Sequence, residues 1–282
     1  MVYRIVTLFA FIAVVFAAIG FLIANTQGSA VGLVLSAAAI AWLYWRSPGM
    51  LLKLFKAKPA DKKELTEMME KLSLNAKIRT PKIYVIATEA PNSLAVGMSR
   101  KNAVVCVTEG LLTLDNDEIE AVISHELGHM KRRDAMLATA ATALAYVISW
   151  PAQKIYLSTF YKDRKSKMGY IMIAFIALFA MPAAAVLRLS ISKAIEYRAD
   201  FFAAFNTQKP KKLASALNKI NDVAKHNPMP SPVATSQLWM VNPFRDDWFS
   251  NLFDTDPPTA KRVKRLNDMA HEGLAEHTKV WE

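Results

Sequence analysis

Residues 5–24 form an almost wholly apolar run that is long enough to cross a lipid bilayer as a helix. A second apolar run follows at residues 30–45, after a short uncharged link. A secretory signal peptide is the competing interpretation, but the first run is too long for a typical signal core and a second run follows at once. Basic residues flank the pair: Arg4 precedes it, and a cluster follows at Arg46, Lys53, Lys56, Lys58, Lys62 and Lys63. Because basic residues favour the cytoplasmic side, we predict a transmembrane hairpin over residues 1–46 with both ends in the cytoplasm.

Two shorter apolar runs come later, at residues 135–150 and 171–187. Each has roughly sixteen or seventeen residues, which is at the short end for a span. If both crossed the bilayer, the basic loop between them would lie outside, against the positive-inside rule. Two arrangements of residues 135–188 therefore stay open: a spanning hairpin, or a helical hairpin that only dips into the bilayer. The flanking regions, 47–134 and 189–282, read as two halves of a cytoplasmic catalytic domain.

Composition agrees with a membrane protein that carries a folded domain. The chain is 53% apolar and has a net charge of +11, and its mean hydropathy is +0.16. The basic flanks of the apolar runs account for the charge, and no motif for reading or stacking nucleic-acid bases is present, so nucleic acid is not expected as a partner. Cys106 is the single cysteine, which excludes an internal disulfide.

The pentapeptide His125-Glu126-Leu127-Gly128-His129 carries the chemistry. On a helix, its two histidines project from one face and can share one Zn²⁺, while Glu126 lies beside them as a general base. Asp115 and Glu118 have the spacing of a helix N-cap with its matching acid, and apolar residues follow at helical spacing. The pattern is typical of zinc-dependent peptidases. The competing interpretation is a pair of histidines that merely sit on an amphipathic helix.

A catalytic zinc needs a third protein ligand and an open position. The extended form H-E-x-x-H-x-x-G-x-x-H is excluded, because Arg132 and Ala135 stand at its glycine and last histidine positions. Glu196 is the better candidate, and Asp200 lies one turn further on the same predicted helix. Asp200 would then accept a hydrogen bond from the free ring nitrogen of a ligating histidine. Spacing alone does not distinguish this arrangement from an ordinary surface pair of carboxylates.

The remaining pattern predicts an α+β, mainly helical fold with a small β-sheet, resembling the zincin or gluzincin class. A helix is expected from Lys62 to Leu74, and a short one near Thr108. A long ordered loop or lid is expected over residues 227–258. The other predictions are strands at 82–87, 92–96 and 103–107, and helices at 189–205, at 210–225 and from Pro257 onward, where Val263 and Leu266 would face the core.

Several motifs together resemble the HtpX-type membrane heat-shock zinc metalloproteases, relatives of the membrane endoproteases that process prenylated proteins. The resemblance covers nearly the full length of the chain. It implies that Glu196 is the third zinc ligand beside His125 and His129, and that the protein acts in quality control and the stress response. The motifs that carry it are the N-terminal hairpin, residues 91–95, 107–112 and 125–129, Arg133-Asp134, residues 196–200 with Ala203-Ala204, and residues 257–259.

Two departures from this family stand out. The family usually has Asn-Ala-Phe-Ala where this chain has Asn92, Ser93, Leu94 and Ala95. We expect that segment to be an edge strand that pairs with an extended substrate backbone. The family also commonly has histidine at the position of Asp256. The residue that stabilises the oxyanion is therefore open, with Tyr197 and Arg198 as the candidates.

The sequence thus predicts metal-assisted peptide hydrolysis with one Zn²⁺ per chain, at the cytoplasmic face of the cell membrane, in a multi-pass protein. The resemblance implies unfolded or damaged membrane proteins as substrates, with the lipid bilayer as the other partner. Two alternatives remain. One is a non-proteolytic membrane adaptor with a structural zinc. The other is a prenyl-protein-processing endoprotease, although those relatives generally have more membrane helices.

Overall fold

The computed structural model describes residues 2–99, 101–159, 178, 180–188, 192–229, 231–244 and 248–274. The fold is mainly helical and contains a small mixed sheet, which confirms the coarse fold prediction. Within the described residues one helix, Val6–Leu54, is long and apolar enough to cross a membrane by length and composition.

Helix α1, Val2–Leu54, is kinked in its middle. Ala24 and Asn25 leave the helical region, and Asn25 has a φ of 51°. A Cβ added at Gly20 would overlap the carbonyl of Gly28, and Ser29 Oγ donates to the carbonyl of Ala17 at 3.1 Å. The chain therefore reverses direction at the kink, and its two halves pack closely because glycine lets the backbones approach.

Apolar side chains cover the outside of α1. Leu22 is 83% exposed and Ile23 is 79% exposed, and Trp45 further along is 74% exposed. Large contiguous apolar surface of this kind is unfavourable in water. The surface of α1 thus has the character that a lipid environment requires.

Two more helices pack against the inner face of α1. These are α4, Asp134–Thr159, and α5, residues 180–188. Leu8 and Leu43 from the two halves of α1 share one apolar cluster with Leu137 of α4 and Leu187 of α5. Residues 160–177, which include the turn of the predicted second hairpin, lie outside the described residues, so the choice between spanning and dipping stays open.

The sheet contains four strands in the order β1-β2-β4-β3. Strands β2 and β4 are parallel, and the other two pairings are antiparallel. Strands β3 and β4 are both buried along their whole length, although β3 lies at the edge of the sheet. The strands are β1, Lys58–Pro59, β2, Lys82–Ile86, β3, Ser93–Val96, and β4, Val104–Thr108; the sequence pattern predicted all of them except β1.

The remaining helices lie close to their predicted positions. The region predicted as a loop or lid contains a 3-10 helix, Val233–Leu238, and the short helix α8, Trp248–Phe253. A further 3-10 helix, Leu111–Thr113, stands where a short helix was expected. The α-helices are α2, Lys63–Asn75, α3, Asn116–Arg132, α6, Lys193–Thr207, α7, Pro210–His226, and α9, Thr259–Glu272.

Helix α3 is the centre of the molecule and is buried along most of its length. It begins in the predicted capping box, in which the carboxylate of Glu118 accepts a hydrogen bond from the backbone of Asp115 at 3.2 Å. It ends at Arg133, which has a left-handed φ of 64°. The Lys209 ammonium bridges Asp117 and Glu120 at 2.6 and 2.7 Å and so ties α3 to the start of α7. These contacts give the functional histidines a rigid support.

Candidate active site

The structure brings together the three predicted metal ligands. The Nε2 atoms of His125 and His129 are 3.1 Å apart. Oxygens of Glu196 lie 3.4 Å from His125 Nε2 and 3.5 Å from His129 Nε2. Ligands of a tetrahedral zinc with bonds of about 2.0–2.1 Å are separated by about 3.3–3.4 Å. The two imidazole nitrogens and the Glu196 carboxylate therefore stand at about the spacing that a zinc ion would need.

Gly128 explains how Glu196 reaches the histidines. It lies in α3 directly against α6, and a Cβ at this position would come within 3.0 Å of the Phe202 ring and 3.3 Å of the Cα atom of Ala199. Because glycine has no side chain, the two helices can approach closely enough for Glu196 to meet both histidines. The glycine of the pentapeptide thus has a packing role.

Asp200 and a buried arginine form a layer behind the ligands. Asp200 Oδ1 lies 3.0 Å from His125 Nδ1. Arg262 donates two hydrogen bonds to the same carboxylate at 2.7 and 2.8 Å, and its Nη1 lies 3.3 Å from Glu196. Arg262 is 1% exposed. Such outer contacts fix the orientation of ligating side chains.

Sequence reasoning missed Arg262, although a signal was available. On α9 the buried residues are Arg262, Leu266 and Met269, which follow one another at helical spacing. Of the two core residues predicted on this helix, Leu266 is fully buried and Val263 only partly. An arginine in line with the apolar face of an amphipathic helix must find a buried acid, because an unpaired charge there is costly. Its partner is supplied by α6, which no local pattern reveals.

Burial and neighbouring charges give the carboxylates of the cluster very different pKa values. Burial alone would raise the pKa of Glu196, but the positive charges of His129 and Arg262 outweigh it and hold the pKa at about 2. The same guanidinium holds the pKa of Asp200 well below its usual range, again against burial. Burial instead raises the pKa of Glu126 to about 7, because His125 and Ser93 only partly offset it. Glu126 is thus the carboxylate suited to exchange a proton near neutral pH.

Ser93 contacts Glu126 directly. Its hydroxyl donates to Glu126 Oε1 at 2.6 Å, and both residues are buried. This serine stands where the family usually has alanine. The hydrogen bond holds one oxygen of the carboxylate, so that the second oxygen is free to act on a reactant.

We expect Ser93→Ala to lower kcat for peptide hydrolysis about tenfold while KM changes less than about twofold, because a misplaced base slows chemistry more than binding. Steady-state kinetics on an unfolded reporter protein measure both constants. Ser93→Thr, which keeps the hydroxyl, should restore part of the rate. Ser73→Ala is the matched control, since Ser73 is an equally buried serine on α2. A kcat of Ser93→Ala equal to that of the control would contradict a role for this hydrogen bond.

The outer edge of β3, where the substrate was expected, is covered by another part of the chain. Leu94 forms an antiparallel bridge with Trp239, and the Met240 N–H donates to the Ser93 carbonyl at 3.0 Å. The side-chain amide of Asn92 donates to the Val241 carbonyl at 2.8 Å. Substrate binding by residues 92–95 therefore stays a prediction, with the condition that this segment must first leave.

The cavity at the metal centre is small as a result. It is lined by Ala95, Glu126, His129, Glu196 and Met240, among other residues, and its volume is about 20 Å³. That is room for about one water molecule. Neither Tyr197 nor Arg198 lines this cavity.

The two candidates for stabilising an oxyanion have other neighbours. The Tyr197 ring lies 4.3 Å from the Arg265 guanidinium, and the charge of Arg198 acts on Asp134. Asp256 is half-buried, and its enclosed Oδ2 has no hydrogen-bond partner among the described residues. Burial and the nearby charge of Glu196 raise the pKa of Asp256 well above its usual value. The oxyanion role stays unassigned.

Comparison with known proteins agrees with this geometry. Residues 59–270 match Peptidase family M48. The chain belongs to this family. A Protease HtpX homolog of Pyrococcus furiosus is 36% identical over an alignment of 275 residues that covers 94% of this chain and 94% of that protein. A Protease HtpX homolog of Thermococcus sibiricus is 37% identical over 280 residues, with 95% and 96% covered. M48 membership and these relatives support a membrane metallopeptidase of the HtpX type.

The crystal structure of Ste24p from S. mikatae is 18% identical, with a TM-score of 0.46. The match covers 83% of this chain and 57% of that one.

Proposed function

We propose that the protein is a zinc-dependent endopeptidase that cleaves unfolded or damaged membrane proteins on the cytoplasmic side of the membrane. The observation that carries the proposal is the site itself. Three donor atoms from two helices stand within 4.8 Å of one another, and a fourth buried side chain, Glu126, lies beside them. Because the chain belongs to Peptidase family M48, peptide hydrolysis is the function that this arrangement of residues supports best.

The residues present fit a bound metal. Two imidazoles and one carboxylate form a ligand set found in catalytic zinc sites, where a fourth position stays open. Among the described residues, Glu196 Oε2 is buried and accepts no well-formed hydrogen bond, although Arg262 Nη1 lies 3.3 Å away. A metal ion held by His125, His129 and Glu196 would give this carboxylate a direct partner.

When bound, zinc would lower the pKa of a water molecule and polarise the scissile carbonyl. Side chains of the protein transfer the protons and orient the ligands. Glu126 accepts the proton of the attacking water on its free oxygen and then passes it to the departing amine. Asp200 orients His125 from behind, and Arg262 holds Asp200 in place.

The proposed membrane location rests on the apolar part of the chain, whereas the substrate class rests on the HtpX-type resemblance. Helix α1 reverses at Asn25 and exposes large apolar side chains. We propose that residues 1–46 anchor the protein as a hairpin, that residues 135–188 add a second apolar hairpin, and that 47–134 and 189–282 form one zincin-like domain facing the cytoplasm. The charges that flank the first hairpin favour this orientation. A stress-related role in membrane-protein quality control follows from the HtpX-type resemblance.

Metal removal tests this proposal. We expect protein purified in detergent to cleave an unfolded reporter, to lose this activity on treatment with a chelator, and to regain it when one equivalent of zinc is added per chain. Zinc content, measured by atomic emission, serves as the control for binding. Binding of zinc and of the reporter without any cleavage would contradict a peptidase and would favour the adaptor.

A further inference from the structure

The strand that covers β3 is held by groups that recognise main chain rather than side chains. We call residues 239–241 the covering strand. The Met240 N–H donates to the Ser93 carbonyl at 3.0 Å, and the Met240 carbonyl accepts from Arg262 Nη1 at 2.6 Å. The Asn92 side chain donates to the Val241 carbonyl at 2.8 Å, and its Oδ1 lies 3.4 Å from the Val241 N–H.

These contacts would serve an extended peptide of any sequence. Strand addition at a sheet edge uses main-chain hydrogen bonds for affinity, so one strand can replace another. Arg262 adds a charged donor to a carbonyl, which is a stronger hydrogen bond than a neutral pair. The edge of β3, Asn92 and Arg262 thus form a binding site for one extended backbone, and the covering strand fills it.

Because this backbone-binding site adjoins the metal centre, whatever occupies it determines whether a substrate can reach the metal ligands. Trp239 and Met240 line the same cavity as Glu126, His129 and Glu196. With the covering strand in place, a cavity of about 20 Å³ leaves room for about one water molecule and none for a peptide. Covering strand and substrate therefore exclude each other.

We infer that the covering strand occupies the place of the substrate backbone, and that a substrate must displace it and take over its contacts with Ser93, Asn92 and Arg262. The inference rests on the proposed peptidase function. It assigns Arg262 as a substrate-binding residue that donates to a carbonyl near the scissile bond. It also makes the covering strand an internal competitor that keeps the resting enzyme closed.

Displacement of the covering strand costs those contacts that a substrate does not replace. Its backbone hydrogen bonds are exchanged for equivalent ones with the substrate, so they change little. Trp239 is 2% exposed, and its ring meets Phe55 edge-on at 5.1 Å. Phe55 follows directly on α1. The burial of Trp239 against Phe55, just beyond the end of α1, is therefore the main barrier that displacement has to overcome.

A pair of substitutions at one position tests the competition. Met240→Pro removes the N–H that binds Ser93, whereas Met240→Ala removes the side chain and keeps the N–H. Trp239 has φ −83° and ψ 143°, which a following proline accepts. We expect Met240→Pro to have a kcat/KM on the unfolded reporter about five- to tenfold above that of Met240→Ala, in line with one lost hydrogen bond. A value equal to or below that of Met240→Ala would overturn the inference.

A reversible lock gives an independent test within one protein. Leu94 and Trp239 are bridge partners, and such pairs have the spacing that a disulfide needs. Leu94 also faces Cys106 in the β3–β4 register, so the variant is Leu94→Cys/Trp239→Cys with Cys106→Ala. We expect the oxidised form to be at least about 100-fold less active than the reduced form at equal zinc content.

The two tests separate this inference from the proposed function. Equal activity of the oxidised and reduced forms would overturn the competition while leaving the peptidase intact. Absence of cleavage by the parent protein, with zinc bound, would instead contradict the proposed function itself.

Discussion

Replacing Glu126 with glutamine should lower peptide hydrolysis by about 10²–10⁴-fold and leave the metal bound. Glu126 supplies none of the three donor atoms of the candidate metal centre, so the set of ligands stays complete in the variant. Glutamine has nearly the same shape, and its carbonyl can still accept the hydrogen bond from Ser93. It cannot take up the proton of the attacking water, so the chemical step loses its base. Turnover of an unfolded reporter and zinc content per chain measure the two effects separately.

Glu120→Gln is the matched control on the same helix. Glu120 is 8% exposed and pairs with Lys71 and Lys209 outside the metal cavity. Its replacement should weaken the tie between α3 and α7 and leave turnover within about twofold of the parent value. Parental turnover by Glu126→Gln would refute general-base catalysis by this residue.

Arg262→Met should lower the free energy of unfolding of the metal-free protein by about 3–5 kcal/mol, the usual cost of breaking a buried ion pair. Asp200 and Glu196 are both buried, and Arg262 is their shared cation. Methionine fills much of the same volume but removes the guanidinium that pairs with both carboxylates. Denaturant titration of the chelator-treated protein in detergent measures the change.

Two further variants show whether the loss comes from the ion pair. Lys264 lies on the same helix at an exposed position. The variant Lys264→Met should therefore change the unfolding free energy by less than about 0.5 kcal/mol. The double variant Arg262→Met/Asp200→Asn should lose less unfolding free energy than the two single variants lose together, because it removes one unpaired charge. Additive losses would show that Arg262 stabilises the fold through its packing alone.

The sequence by itself determined the parts of the protein that depend on neighbours along the chain. The capping box of Asp115 and Glu118 and the placement of His125 and His129 on one face involve residues three or four positions apart. Such contacts form within a single helix, so their spacing can be read directly. The apolar run that forms α1 is equally local, because length and composition suffice to recognise it.

Tertiary packing decided the rest of the site. Glu196 meets the histidines because Gly128 allows α6 to approach α3, and spacing alone left this carboxylate unresolved. Arg262 reaches Asp200 from the last described helix, and Met240 covers β3 from a region that the pattern predicted only as a loop or lid. These contacts join residues far apart in the chain, and their partners are chosen by how helices and sheet pack around a shared core. Local periodicity records which side of an element is buried, but it does not record what that side meets.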